Sequence, residues 1–283
     1  MESTRRGFSD IFRSSTAEIP DLLERIHHYL PFKAVVGPRF DDRQITVVCM
    51  TPRSGSGYLG SILRENGFGP TREHFRIVGG ALERDAAKIK RKSYEEYFRN
   101  KVQQRTENRN FTVKLGWPQF APIYYSGVFS FYLRDATYIY LTREDIISQA
   151  ISRYIANETG YFHTPDKGDS QNDLVHFDYN GIRKHLEFLV EMQGDWERFF
   201  ASEGLSPVRI TYEQVASNPT AAFAKIAEAA GSPMPETIIT QTEFGVTRTS
   251  KNAHLREAFI EEHRRRMHNG VVKFINANSE NTG

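Results

Sequence analysis

The sequence predicts an α/β protein with three layers, in which helices cover both faces of a largely parallel central sheet. Four short runs rich in β-branched and aromatic residues predict the strands, and helical patterns separate them. These runs are residues 44–51, 111–117, 137–142 and 208–212. The first run ends in a loop rich in glycine and serine, at the edge where such sheets bind ligands.

The organisation of the chain around this sheet is simple. Residues 1–43 are predicted to be an N-terminal extension with a helix over 19–30, followed by one domain over 44–275. The polar residues 276–283 are predicted to be a disordered tail. We find no internal repeat and no second domain boundary.

Composition narrows the classes of function. The net charge is only +2 over 283 residues, which argues against a dedicated nucleic-acid binder. The single cysteine, Cys49, excludes an internal disulfide framework and a zinc-type cysteine cluster, and it suits a reducing cytoplasm. No apolar run approaches the roughly 18–20 residues of a membrane span, and no signal-peptide core is found. We therefore expect a cytoplasmic enzyme.

The loop over residues 52–57 is the strongest candidate for chemistry. A strand stops at Pro52, the sequence Arg53-Ser54-Gly55-Ser56-Gly57 follows, and a helix pattern then runs to Gly67. Backbone N–H groups at such a helix N-terminus attract phosphate or sulfate, and Arg53 adds a permanent charge. An ordinary strand-to-helix turn without a ligand is the alternative.

Spacing separates this loop from better-known anion loops. It lacks the glycine spacing and the lysine of a Walker A loop. The spacing Gly-x-Gly-x-x-Gly of a dinucleotide-binding loop is present at Gly55, Gly57 and Gly60. Such a loop also needs an acidic residue at the end of a second strand about 20 residues later, and the sequence has none there. Cys49 is too close to Arg53 for a cysteine phosphatase loop, and it is most simply a buried core thiol.

Two further segments carry candidate acceptor-site residues. Glu73 lies in a loop between Arg72 and His74, where it is either presented to a ligand or an ordinary surface glutamate. Lys114 and Trp117 lie near a strand end, where they either line a pocket or serve as a solvent-facing lysine and a core tryptophan.

Arg143 follows the third strand and precedes a helix. Ser148 and Ser152 lie four residues apart on one face of that helix. An arginine at a strand end with a nearby hydroxyl would suit a phosphate group. A structural ion pair between Arg143 and Asp145, with exposed serines, is the alternative.

Several of these segments together resemble one family. The sequence Thr-Pro-Arg-Ser-Gly-Ser at 51–56 is similar to the 5′-phosphosulfate loop of PAPS-dependent sulfotransferases of the bacterial Stf0 (trehalose 2-sulfotransferase-like) family. Glu-His-Phe at 73–75 resembles the family's Glu-Tyr-Phe segment. Residues 141–152 resemble its Arg-Asp…Gln-Ala-Val-Ser segment. The resemblance covers roughly residues 44–260.

The resemblance implies a P-loop-like sulfotransferase fold and transfer of a sulfuryl group from PAPS to a hydroxyl of a carbohydrate or small alcohol, giving PAP. Glu73 would be the catalytic base, and Arg53 would stabilise the leaving phosphate. A basic C-terminal residue, Arg248 or Lys251, would contact the 3′-phosphate. No metal is required, and relatives suggest a homodimer. The implied donor-binding residues are Arg53, Ser54, Gly55, Ser56, Gly57, Tyr58, Arg143, Ser148 and Ser152.

Two positions depart from the family pattern. Gly57 stands where Thr or Ser is usual, and His74 stands where Tyr is usual. Two other functions remain open from the sequence. A nucleotide-dependent kinase or phosphotransferase would require magnesium. A non-catalytic module for a nucleotide or sulfated glycan would keep its affinity when Glu73 is replaced and would have no turnover to lose.

Overall fold

Four parallel strands form the sheet of the protein, for which a computed structural model describes residues 19–75, 93–160, 175–242 and 250–279. The strands are β1 (Gln44–Met50), β2 (Asn110–Leu115), β3 (Thr137–Thr142) and β4 (Val208–Thr211). They lie in the order β2-β1-β3-β4, and every neighbouring pair is parallel. The predicted α/β class and parallel central sheet are therefore confirmed.

Helices connect and cover these strands. Two short π-helical turns, Arg64–Phe68 and Phe129–Leu133, extend α2 and follow α4. The helices in the described part of the chain are α1 (Ile19–Tyr29), α2 (Ser56–Leu63), α3 (Tyr94–Arg105), α4 (Trp117–Tyr125), α5 (Ile146–Thr159), α6 (Tyr179–Glu203), α7 (Tyr212–Ser217), α8 (Pro219–Ala230) and α9 (Ser250–Ser279).

The chain divides into two compact units. The first comprises Met1–Glu144 and Val190–Phe244, and it contains the sheet. The second comprises Asp145–Leu189 and Gly245–Gly283. We did not expect this division from the sequence, and the domain boundaries given above stay predictions.

Strand alternation gives the sheet of the first unit two apolar faces. Val48 and Ile139 point to one face, where they pack with residues of α2 and α8 such as Ile62 and Phe223. On the other face, the tyrosines of β3 meet aromatic rings of α6; for example, the rings of Tyr140 and Phe200 lie 5.3 Å apart. Burial on both faces explains why β1 is an almost continuous apolar run.

The second unit has a helical core of its own. Residues of α5, α9 and the first part of α6 form one buried cluster, which includes Ile151, Ile182 and Leu255. The ring of Tyr179 stacks on that of Phe259 at 5.0 Å. Among the described residues, no helix is both long enough and apolar enough to cross a membrane.

Two element ends differ from the sequence prediction by more than one residue. Strand β2 stops at Leu115, because Gly116 caps α4 and Pro118 occupies the first turn of that helix. Trp117 is therefore the first residue of a helix rather than the end of a strand. Helix α9 runs to Ser279, so residues 276–279 are helical rather than disordered. The remaining residues of the predicted tail lie outside the described ranges.

Candidate functional site

The loop after β1 is built around two residues with left-handed backbone conformation. Arg53 has φ 65° and Gly55 has φ 82°, and this turns the chain from β1 into α2 within five residues. The first hydrogen bond of α2 runs from Leu59 N to Gly55 O, at 3.1 Å. The N–H groups of 56–58 precede that bond and have no acceptor within the helix. They are available to an anion at this helix N-terminus.

Ser54 adds a polar group to the loop. Its side chain is fully buried, and Oγ has no hydrogen-bond partner among the described residues. A buried hydroxyl without a partner costs roughly 1–3 kcal/mol, and a bound anion would supply the missing acceptor. Ser56 is also buried, whereas Gly57 and Tyr58 are partly exposed.

Tyr212, the first residue of α7, packs against the loop and constrains its shape. Its ring lies so close to Gly55 that a Cβ added there would meet the Cδ2 atom of Tyr212 at 2.3 Å. A glycine is therefore required at position 55 both for its positive φ and for this contact. The contact gives Tyr212 a structural role at this loop.

We expect Gly55→Ala to destabilise the protein by about 3 kcal/mol, combining left-handed strain with the clash against Tyr212. Gly67→Ala is the matched control, because Gly67 has φ 92° and no atom within 4 Å of an added Cβ. Its expected cost is about 1 kcal/mol. Urea denaturation measures both values. Equal costs would show that Tyr212 does not constrain the loop.

Arg143 follows β3 and reaches the same loop. Its Nη1 donates to the backbone oxygen of Arg53 at 3.4 Å, and its guanidinium lies 5.4 Å from the ring centre of Tyr212. The Nε atom is 4.0 Å from Glu213 Oε1, while Glu213 Oε2 accepts a hydrogen bond from Glu144 N. Tyr212 and Glu213 therefore hold Arg143 against the loop. The ion pair proposed between Arg143 and Asp145 is not the one that forms.

The two arginines concentrate positive charge at this edge of the sheet. Burial lowers the pKa of Arg53, and the charge of Arg143 lowers it further. Two cations in a partly buried site repel one another, and an anionic group between them would offset that repulsion. The arrangement is chemically suited to a phosphate or sulfate ester.

Glu73 lies on the other side of β1, beside β2. The preceding residue, Arg72, pairs with Val113 in a parallel bridge, and its carbonyl accepts a hydrogen bond from Lys114 N at 3.0 Å. The carboxylate of Glu73 accepts a hydrogen bond from Gln119 Nε2, with 3.0 Å between Oε2 and Nε2. Glu73 is half-buried. Glu73 is therefore held by a hydrogen bond and partly withdrawn from solvent, and its role as a base stays a prediction.

Lys114 connects the region around Glu73 with helix α2. A Cβ added to Gly60 of α2 would lie 3.3 Å from Lys114 Cδ and 3.2 Å from Thr71 Cγ2. Burial lowers the pKa of the Lys114 ammonium. The negative charge of Glu73 raises this pKa, and the positive charge of Arg72 lowers it. Lys114 is thus not a solvent-facing lysine.

Trp117 belongs to the core rather than to a pocket wall. It is 3% exposed, and its ring meets that of Trp196 edge to face at 5.3 Å. The sequence left open whether this tryptophan offers a stacking face to a sugar. Its burial favours the packing role.

His74, the residue that departs from the family pattern beside Glu73, is engaged in packing. Its ring stacks on Phe111 at 5.7 Å, and Nε2 donates to the carbonyl of Pro70 at 2.9 Å. A carbonyl can only accept, so the proton is on Nε2. The pKa of His74 is lowered to about 4, mainly because the ring is buried. The hydrogen bond to Pro70 raises the pKa by a smaller amount, and the charges of Arg105, Lys101 and Arg72 lower it further.

The lowered pKa of His74 predicts a loss of stability in acid. Between pH 6.5 and about 4 the unfolded chain binds a proton at this ring and the folded chain does not, so the free energy of unfolding falls as pH falls. We expect His74→Phe to reduce that fall by about 2 kcal/mol. Urea denaturation at pH 7.0, 5.5 and 4.5 measures it. His185, whose pKa is also lowered to about 4, stays in place in both proteins as an internal reference. Parallel curves for the two proteins would contradict the prediction.

The two candidate serines lie on α5, in the second unit. Ser148 donates from Oγ to Asp145 Oδ2 at 2.6 Å, and Asp145 caps the helix. Asp145 also forms an ion pair with Arg256 of α9, at 3.4 Å. Burial raises the pKa of Asp145, but the hydrogen bonds from Ser148 and the charge of Arg256 outweigh it and lower the pKa. Ser152 is half-buried one turn further along α5.

The first unit therefore brings together the loop over 53–58 and Arg143, with Glu73 held beside the adjacent strand. Ser148 and Ser152 belong to the second unit, and Arg248 lies outside the described residues. Sequence reasoning missed Gln119, although Gly-Trp-Pro-Gln is a recognisable helix start with Gln at the third position. The described residues contain no group of three or more His, Cys, Asp or Glu side chains suited to a metal ion.

Comparison with known proteins identifies the relatives of this chain. Residues 129–264, just under half of the chain, match the model of the family described as Stf0 sulphotransferase. A curated trehalose 2-sulfotransferase from Mycobacterium tuberculosis (strain ATCC 35801 / TMC 107 / Erdman) is 29% identical over 99 residues. Over these residues the chain is similar to the Stf0 sulfotransferases.

Both matches cover only part of the chain. The 99 aligned residues are 34% of this chain, and they span only 36% of the curated relative. The family match includes Arg143, Ser148 and Ser152, whereas the loop over 53–58 and Glu73 precede it.

Two solved structures resemble the chain more distantly. The sulfotransferase from Alicyclobacillus acidocaldarius has a TM-score of 0.47 and 15% identity, covering 77% of this chain and 92% of that one. Mouse sulfotransferase SULT7A1, complexed with PAP, has a TM-score of 0.39 and 13% identity, covering 87% of this chain and 69% of that one. The α/β fold is established by the parallel four-stranded sheet of the chain itself.

Proposed function

We propose that this protein transfers a sulfuryl group from PAPS to a hydroxyl of a carbohydrate or another small alcohol. The match of residues 129–264 to the Stf0 sulphotransferase family model supports sulfuryl transfer. The name of the curated relative supports a sugar as acceptor. The resemblance of residues 51–56 to a 5′-phosphosulfate loop supports PAPS as the donor.

The observation that carries the proposal is the cationic loop after β1. Arg143 Nη1 is 3.4 Å from the backbone oxygen of Arg53. The two arginines lie at the same edge of the sheet as the N-terminus of α2 and the buried hydroxyl of Ser54. These groups suit the charge of a 5′-phosphosulfate. Ser148 and Ser152 stay proposed contacts of the 3′-phosphate, from the family resemblance alone.

The order of the strands supports a reaction with donor and base on opposite sides of β1. Arg143 follows β3 on one side, and the segment of Glu73 is attached to β2 on the other. A sulfuryl group bound at the loop would then face a hydroxyl held near Glu73. An in-line displacement requires this kind of arrangement, with attacking and leaving oxygens on opposite sides of the transferred group.

The proposed step is a single displacement at sulfur. The acceptor oxygen forms a bond to sulfur as its proton passes to the carboxylate of Glu73. The bond between sulfur and the 5′-phosphate oxygen breaks, and its electron pair stays on the phosphate of PAP. Arg53 and the N–H groups of 56–58 stabilise the charge that grows there. No metal is needed for this step.

Titration calorimetry with PAP tests the donor site. We expect binding by the wild-type protein in the absence of magnesium, and no comparable binding of magnesium-ATP. Binding of magnesium-ATP instead of PAP would overturn the proposal and favour a kinase. Incubation with [35S]PAPS and trehalose, followed by a panel of other sugars, tests transfer. PAP binding without transfer to any acceptor would favour a non-catalytic module.

A homodimer and a cytoplasmic location belong to the same proposal. The dimer is suggested by the family resemblance, and the reducing compartment by the single cysteine. Cys49 is fully buried, and burial raises its pKa well above the usual range. A thiol in that environment is inert and serves packing.

A further inference from the structure

Gln119 makes two hydrogen bonds with one amide group. It is the third residue of α4, and its Oε1 accepts from the backbone N of Gly116 at 2.8 Å. Its Nε2 donates to Glu73 Oε2 at 3.0 Å. The side chain thus connects the start of a rigid helix with the carboxylate proposed as the base.

The orientation of this amide follows from its partners. The N–H of Gly116 can only donate, so the oxygen of Gln119 must face it. The nitrogen is then directed at Glu73, and rotating the amide by 180° would place two donors against each other at Gly116. The cap of α4 therefore fixes which atom meets the carboxylate. The bond occupies Oε2 of Glu73 and leaves Oε1 for the acceptor proton.

The neighbouring charges complete the environment of Glu73. Lys114, on β2, interacts electrostatically with the carboxylate, and Arg72 lies on the same segment as Glu73. The amide of Gln119 adds a neutral hydrogen-bond donor to these cations around the carboxylate. A base must be ionised before attack and must be aimed at its proton.

We propose that Gln119 is a positioning residue, which holds Glu73 in the orientation needed to accept the proton of the acceptor hydroxyl. This inference rests on the proposed function of Glu73 as the base. Gln119 acts through Glu73 and need not touch the substrate itself.

Gln119→Glu separates this role from helix capping. A glutamate keeps an oxygen for the N–H of Gly116 and remains favourable in the first turn of a helix. It cannot donate to Glu73 when ionised, and it places a like charge beside that carboxylate. We expect the melting temperature and the affinity for PAP to stay near those of the wild type.

The kinetic effect is expected in kcat and in the pH profile. With [35S]PAPS and trehalose, kcat of Gln119→Glu should fall at least tenfold while KM for PAPS is unchanged. The acid limb of the kcat/KM profile should move to higher pH by about one unit, because a second carboxylate disfavours ionisation of Glu73. Lys114 and Arg72 are present in both proteins and do not contribute to the difference. An unchanged kcat and profile would overturn the positioning role and leave only the cap.

Nuclear magnetic resonance tests the contact without any acceptor. In wild-type protein labelled with ¹⁵N, the side-chain amide protons of Gln119 should move with pH as Glu73 titrates. That movement should vanish in Glu73→Gln. Amide signals that are the same in both proteins would overturn the inference. Full activity of Glu73→Gln, by contrast, would show that Glu73 is not the base. A failure of the positioning role can therefore be distinguished from a failure of the proposed base.

Discussion

Glu73→Gln should lower kcat for sulfuryl transfer by about 10²–10⁴-fold, the range typical of removing a general base. Glutamine has the same shape as glutamate, and its oxygen can still accept the hydrogen bond from Gln119 Nε2. The substitution therefore keeps the geometry and removes only the ability to take a proton. Transfer of ³⁵S from PAPS to trehalose, or to whichever sugar the wild type accepts, measures the rate.

Affinity for PAP distinguishes this chemical defect from a structural one. Glu73→Gln should bind PAP as tightly as the wild type, because the carboxylate lies beside β2 rather than at the anion loop. Glu65→Gln is the matched control, since Glu65 is an exposed glutamate paired with Arg64. It should leave both rate and affinity unchanged. A rate within threefold of the wild type for Glu73→Gln would remove the assignment of the base.

Arg143→Ala should weaken PAP binding by about 100-fold, corresponding to about 2.7 kcal/mol. The guanidinium is one of two that concentrate charge at the loop, and Tyr212 and Glu213 hold it there. Arg143→Lys should have an intermediate affinity, because lysine keeps the charge but loses the forked geometry of the guanidinium. Titration calorimetry measures all three proteins.

Arg209→Ala controls for the change in net charge. Arg209 is an exposed arginine of β4 whose guanidinium pairs with both carboxylate oxygens of Glu197, at 2.6 and 2.7 Å. Its removal changes the charge of the same unit by the same amount, and we expect PAP affinity to stay within twofold. Equal losses for Arg143→Ala and Arg209→Ala would mean that only overall charge attracts the nucleotide.

Much of the sheet could be predicted because its signals are local. The apolar run before Pro52 and the strand patterns near 111, 137 and 208 all correspond to strands in the structure. Their parallel pairing followed from the helices between them. The end of β2 was misjudged because an apolar strand end and an apolar helix start at Trp117 look alike in sequence, and only the cap at Gly116 separates them.

The candidate site was predictable in part for the same reason. The glycine and serine residues at 53–57 predict a strand-to-helix turn. The structure has a turn there, with the left-handed backbone conformation at two residues that such a turn requires. The roles of Gln119, Tyr212 and Glu213 were not predictable. Each acts through a partner 46 to 157 residues away in sequence, namely Glu73, Gly55 and Arg143. A single sequence contains no information on such pairs.

By itself the sequence determined the α/β class and the strand-to-helix loop at the end of the first strand, because alternation, glycine and helix-start patterns act over a few residues. The tertiary structure alone decided how those residues are used. Strand order brought Arg143 to the loop, and the pairing of Arg72 with β2 brought Glu73 to Gln119. The packing of Tyr212 on Gly55 fixed the shape of the loop. These contacts depend on which strands become neighbours, and that is settled by burial of the whole sheet rather than by any local pattern.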